Sequence, residues 1–190
     1  MDSRFDRIRA ASRAVADEAR FVRIDRGRLP AYAASLSTAG LPEPAYDPAH
    51  HVQADPETTA AFVLTLDSVN FGSGWFPLLR NRPGMSGYFT IATSLKDRFE
   101  REGPLSAGEL AAIAAADCAA IFGQTDAPAP IQDLIARFAA SLRDLGRLVD
   151  REYGGRFLDL VEGAGGSAAR LVGSLAALPS FQDVAQYEER

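Results

Sequence analysis

Apolar residues recur at helical spacing through most of this chain. Phe5, Ile8, Val15 and Ala19 share a face of a predicted amphipathic helix over residues 2–20, with Arg and Asp elsewhere. Phe21-Val22-Arg23-Ile24-Asp25 alternates instead and predicts a short strand, with Arg26-Gly27-Arg28 as the turn after it. A short helix is expected over 29–37. Residues 38–56 hold Pro42, Pro44, Pro48 and Pro56; each proline fixes its own φ and restricts its predecessor, so this stretch reads as an extended connection. It also carries both histidines, His50 and His51.

Asp55-Pro56-Glu57 is a helix start, with a capping carboxylate, a proline at the first position and an acid near the positive end of the dipole. The run Ala60–Leu66 is apolar all round and predicts a buried helix, with a buried strand as the alternative, that breaks near Gly72 and Gly74. Ile91, Leu95 and Phe99 predict a helix over 87–101. Ser106-Ala107-Gly108-Glu109 is a capping box before a long Ala-rich helix ending at Gly123. Ile131, Leu134, Ile135, Phe138, Leu142, Leu145 and Val149 mark the longest amphipathic helix, which stops at Gly154-Gly155. Gly163–Ser167 reads as a helix–helix turn, Ser167 as the cap of a helix over 168–177, and Phe181–Tyr187 as a further structured segment. No internal repeat is visible. The expected class is all-α, mainly helical, with room for one short strand pair, in one domain over 1–190.

Composition changes this picture little: 190 residues, 47% hydrophobic and 24% charged, are ordinary globular values. The net charge of -5 and the lack of a dense Lys/Arg block argue against duplex nucleic acid as a partner, while one small phosphorylated ligand needs only a local cluster of donors. The single cysteine, Cys118, cannot form an intramolecular disulfide or a zinc site alone, and its Ala-rich setting reads as core filler. No signal core or run near the ~20 apolar residues of a membrane span is present, so a cytoplasmic protein with no membrane partner is expected.

Candidate chemistry centres on Asp67-Ser68-Val69-Asn70-Phe71-Gly72-Ser73-Gly74-Trp75-Phe76-Pro77. A glycine-broken turn here places Asp67 and Asn70 beside Phe71, Trp75 and Phe76. A planar ligand needs faces to stack on and polar groups at its edges, and this segment offers both. The same residues would equally make a capped helix end with packed aromatics. His50-His51 can donate, accept or shuttle protons, or lie solvated in a loop. With no third His and a lone Cys, zinc is not expected, and no cofactor is implied. Ser86-Gly87-Tyr88-Phe89 is either a second small-then-aromatic ligand element or a helix entry. Arg80-Asn81-Arg82 is either a phosphate clamp or a solvated turn. There is no nucleophilic triad order and no Walker-type loop.

The segment Asp67–Pro77 followed by Ser86-Gly87-Tyr88-Phe89, Tyr153-Gly154-Gly155-Arg156-Phe157-Leu158, Gly166-Ser167-Ala168-Ala169-Arg170-Leu171-Val172 and Pro179-Ser180-Phe181-Gln182-Asp183-Val184 resembles the queuosine salvage protein family, in the family's order and across nearly the whole chain. The resemblance implies hydrolysis of the N-glycosidic bond of queuosine 5′-phosphate to queuine and ribose 5-phosphate, on an all-helical fold akin to helix-hairpin-helix DNA glycosylases. His51 matches a base-binding histidine of the family, with His50 an adjacent rival. Asn70, Phe71 and Trp75 match its central motif, and Tyr88 belongs to the second; these five are the expected substrate-binding residues. The family continues beyond the equivalent of Tyr187 into a motif carrying its catalytic aspartate. The resemblance therefore implies that these residues are the N-terminal part of a longer enzyme whose catalytic carboxylate lies outside them, with Asp67 as the in-chain alternative. The alternative is a non-catalytic helical module that binds a nucleobase or a protein partner.

Overall fold

The computed structural model describes residues 4–37 and 46–182, and divides between Ala45 and Tyr46 into two compact units. In the first, α1 (Arg4–Glu18) and α2 (Leu29–Ser35) are joined by irregular chain. The expected turn is present: the Asp25 carboxylate accepts the N–H groups of Gly27 and Arg28 at 3.0 and 3.3 Å. The expected strand at 21–25 is not formed, and no strand occurs among the described residues. A strand needs a ladder partner and a face to bury. Here Phe21, Val22 and Ile24 are all exposed, so neither phase of the alternation is covered.

The second unit is built on α3 (Pro56–Asp67), α4 (Gly87–Glu102), α5 (Ala107–Ala112), α6 (Ala115–Ile121), α7 (Ala129–Tyr153), α8 (Phe157–Gly163) and α9 (Ala168–Leu175), with 3-10 turns over Ser73–Leu78 and Pro179–Phe181. Asp55 caps α3 by accepting the Thr58 N–H at 3.1 Å, and Pro56 opens the helix as predicted. Phe62, Leu64 and Leu66 of α3 are buried, as the all-round apolar run requires. All seven positions of the predicted stripe on α7 are buried, and Gly154, at φ 57°, ends that helix in the left-handed region that glycine tolerates.

The long Ala-rich helix expected over 106–122 is two helices. Ile113 and Ala114 are extended, at ψ 130° and 162°, between α5 and α6. Side chains hold this break open. Asp117 accepts the Ala114 N–H at 2.9 Å and so caps α6, while Arg143 of α7 donates to the Ile113 carbonyl at 2.9 Å. Alanine propensity alone would run the helix through; these two bonds satisfy the backbone groups that interruption frees. Cys118 of α6 is buried, and burial pushes its thiol up to about 12.

The pattern gave no sign of α8. Its start is fixed by a residue a hundred positions away: the Glu57 carboxylate accepts the N–H groups of Phe157 and Leu158 at 2.8 and 2.9 Å. An anion at a helix N-terminus meets both free N–H groups and the positive dipole end, and here it also ties α8 to α3. The expected glycine-rich turn follows α8, and Ser167 caps α9 by accepting the Arg170 N–H. Of the segment expected at 181–187, residues from 183 on lie outside those described.

Candidate functional site

The residues from Tyr46 to His51 close a tight turn against α3 and α4. Asp47 Oδ1 accepts the Ala49 N–H at 2.9 Å, and the Asp47 carbonyl accepts the N–H groups of His50 and His51 at 3.1 and 3.0 Å. This geometry separates the two histidines. His50 Nδ1 lies 2.8 Å from Thr93 Oγ1, with its ring against Phe89 at 4.4 Å between centroids. His51 Nδ1 lies 2.9 Å from the Asp47 carbonyl oxygen, and its Nε2 lies 2.9 Å from Tyr88 Oη. Tyr46 covers the His51 ring at 4.8 Å, and Phe62 meets its edge at 6.3 Å.

Asp67, in the last turn of α3, completes the group. Its surface reaches solvent, yet the atoms packed around its carboxyl strip water from it and raise its pKa, with only nearby His51 pulling the other way. Burial also raises the pKa of Tyr88 and of Tyr46, and the charge of Asp67 adds to both. The folded pKa of Asp67 thus lies above the unfolded one. Its contribution to stability is full below the unfolded pKa and fades as pH rises through the folded pKa. Asp67→Asn is therefore expected to be more stable than the wild type at neutral pH, with the gain vanishing in acid. Urea denaturation over a pH series measures this; an Asn variant that is weaker at neutral pH contradicts it.

Tyr88 also lines an open cleft of about 420 Å³ with Asn70, Phe76, Asn81, Ser86 and Gly87. The cleft depends on Gly87. A Cβ there would sit 2.5 Å from Cβ of Phe76, so only glycine lets the first turn of α4 press against the 3-10 turn. Asn70 is held at the rim by its N–H bond to the Asp67 carbonyl at 3.2 Å.

Phe71 and Trp75 are elsewhere. They line a second cleft, of about 610 Å³, with Leu134, Arg137, Pro179 and Phe181. Phe71 meets Phe138 edge-on at 5.0 Å, and Trp75 is 51% exposed. The 3-10 turn at Pro179 is fixed there by the Ser180 N–H donating to Asp144 of α7 at 2.9 Å. Of the five residues expected to bind substrate, the structure therefore brings His51, Tyr88 and Asn70 together and puts Phe71 and Trp75 in a separate cleft. Position 72 links the two. Gly72 has φ 78°, and a Cβ there would meet Leu134 at 2.5 Å. Of the arginines, Arg82 is committed to Asp97 at 2.7 Å, and the backbone of Arg80 is held by Gln124. Tyr46 and Thr93 carried no local signal in sequence: one lies within the proline-rich stretch, the other sits in a regular helix.

Residues 50–190, which contain both clefts, match the family model described as queuosine salvage protein. The chain belongs to the queuosine salvage protein family. It is 33% identical over 186 residues to the queuosine 5′-phosphate N-glycosylase/hydrolase of Sphaerobacter thermophilus, covering 95% of this chain and 56% of that protein. The chain thus spans a little over half the length of that relative. The matched region begins at the first of the two histidines, so α1 and α2 lie before it. Among the described residues, no helix is long and apolar enough to cross a membrane, and no three His, Cys, Asp or Glu side chains form a metal-holding group.

Proposed function

We propose that this chain is part of a cytoplasmic enzyme that hydrolyses the N-glycosidic bond of queuosine 5′-phosphate. Water adds at the anomeric carbon, the bond to the base breaks, and queuine leaves with a proton while ribose 5-phosphate remains. The observation that carries this reading is the family match over residues 50–190, a span that includes His51, Asn70 and Tyr88. The cleft lined by Asn70 and Tyr88 offers a half-buried phenol backed by the His51 imidazole, with amide groups at its rim, which suits the polar edge of a purine-like base. Phe71 and Trp75 would supply aromatic surface to the same ligand or to the rest of the enzyme. The partner is a small molecule; a net charge of -5 gives no cationic stripe for duplex nucleic acid.

Glycoside cleavage passes through an oxocarbenium-like state that a carboxylate stabilises or attacks. In this proposal the carboxylate comes from outside these 190 residues, which act as the N-terminal part of a longer enzyme with a helix-hairpin-helix glycosylase-like fold. Asp67 acts electrostatically on His51 and Tyr88, but burial disfavours its ionised form, the wrong direction for a group that must meet a developing cation. In the protein expressed from its full reading frame, His51→Ala is expected to lower kcat/KM for queuosine 5′-phosphate about tenfold or more, an effect of about 1.4 kcal/mol. His50→Ala, which loses contacts to Thr93, Phe89 and Asp47 but none to Tyr88, should do less. Equal effects would contradict the assignment of His51 to the site.

A further inference from the structure

We infer that His51 acts on the ligand through Tyr88, not by touching it, and that Tyr88 Oη presents a hydrogen-bond acceptor to the base. The inference rests on the proposed base-binding role of the cleft. A carbonyl oxygen can only accept, so His51 Nδ1, 2.9 Å from the Asp47 carbonyl, carries the ring proton. In the neutral ring Nε2 is then a bare acceptor, and the group 2.9 Å away that can donate to it is the Tyr88 hydroxyl. Both ring nitrogens are thus used within the protein, and a ligand could reach either one only by breaking a bond already made.

Tyr88 is the member of the pair that lines the cleft. Its one proton is aimed at His51, so a ligand group that reaches Oη from the cleft meets an acceptor. Burial and the charge of Asp67 raise its pKa, which keeps that proton in place. The turn at Asp47 sets the His51 tautomer, His51 sets the direction of the Tyr88 O–H, and Tyr88 reads the ligand. His51 is by this account a positioning residue. The site favours a base edge that offers an N–H or amino donor at this point over one that places a bare ring nitrogen there. A mismatched acceptor leaves two lone pairs facing each other.

The test uses protein from the full reading frame, queuine binding by calorimetry, and nitrogen NMR of the His51 ring. His51→Ala and Tyr88→Phe are each expected to weaken binding about tenfold, and the double variant about tenfold rather than a hundredfold, because both remove one unit. His51→Gln, which restores an acceptor oxygen near Tyr88, should recover part of the loss. The ring signals should show a protonated Nδ1 and a bare Nε2 both with and without queuine, and the Nε2 signal should move in Tyr88→Phe. Additive losses, or an Nε2 that changes state when queuine binds, overturn the relay while leaving the proposed function standing. A folded wild-type protein that binds no queuine overturns the base-binding reading itself. In that case an Nε2 unmoved by Tyr88→Phe would show that the relay is absent as well.

Discussion

Gly146→Ala is expected to destabilise the protein by about 3 kcal/mol, against the gain of up to ~1 kcal/mol that the same change brings to an ordinary helix interior. Gly146 lies in the middle of α7, where α5 crosses it. A Cβ at this position would stand 2.4 Å from the Ala111 backbone nitrogen and 2.6 Å from the Ala107 carbonyl oxygen. These are backbone atoms, so no side chain can swing aside to make room. Either α5 moves off α7, opening the core around Leu110 and Leu142, or the new methyl group is overpacked. The break between α5 and α6, which Arg143 holds three residues away, would shift with it. Urea unfolding of the variant measures the loss, and stability equal to the wild type would mean that the two helices are not in backbone contact here.

The second large effect is expected at Glu57. Glu57→Ala removes both hydrogen bonds to the start of α8 and leaves the N–H groups of Phe157 and Leu158 without their carboxylate. Bonds to a charged group contribute about 1.5–3 kcal/mol each when well shielded; Glu57 is only half-buried, so the pair is expected to cost about 2 kcal/mol. Glu57→Gln keeps one acceptor oxygen and should lose about half as much. Denaturant unfolding again reads the change, and hydrogen exchange should locate it, with α8 opening before α7. A loss within ±0.5 kcal/mol, typical of plain surface positions, would show that the contact carries no weight.

These two sites also mark where sequence reading stops. The stripe on α7 was legible because its period repeats over seven positions and its apolar face is buried throughout. The start of α3 was legible because cap, proline and acid are adjacent in the chain. The α5–α6 break is held by Arg143 as well as by the nearby cap Asp117, and the start of α8 by Glu57; Arg143 and Glu57 are remote in sequence, and alanine propensity points the other way at the break. The strand expected at 21–25 failed for a related reason: alternation becomes structure only when another segment pairs with it, and no described residue does.

The candidate site shows the same division. Residue types alone left His50 and His51 equivalent and left Asp67–Pro77 either a site or a helix end. The family resemblance singled out His51, Asn70, Phe71, Trp75 and Tyr88, but not how they are grouped. Backbone geometry did that: the turn at Asp47 sends His51 to Tyr88 and His50 to Thr93, and the left-handed Gly72 sends Phe71 and Trp75 to a separate cleft from Asn70. The segment Asp67–Pro77 is thus both a helix end and the junction of two clefts.

The proposed function makes this chain part of a nucleotide N-glycosidase. The most direct measurement incubates protein from the full reading frame with queuosine 5′-phosphate and follows both products by mass-resolved chromatography. Release of queuine and ribose 5-phosphate in equal amounts is expected, reduced about tenfold or more by His51→Ala. Folded protein that leaves the nucleotide intact would contradict it.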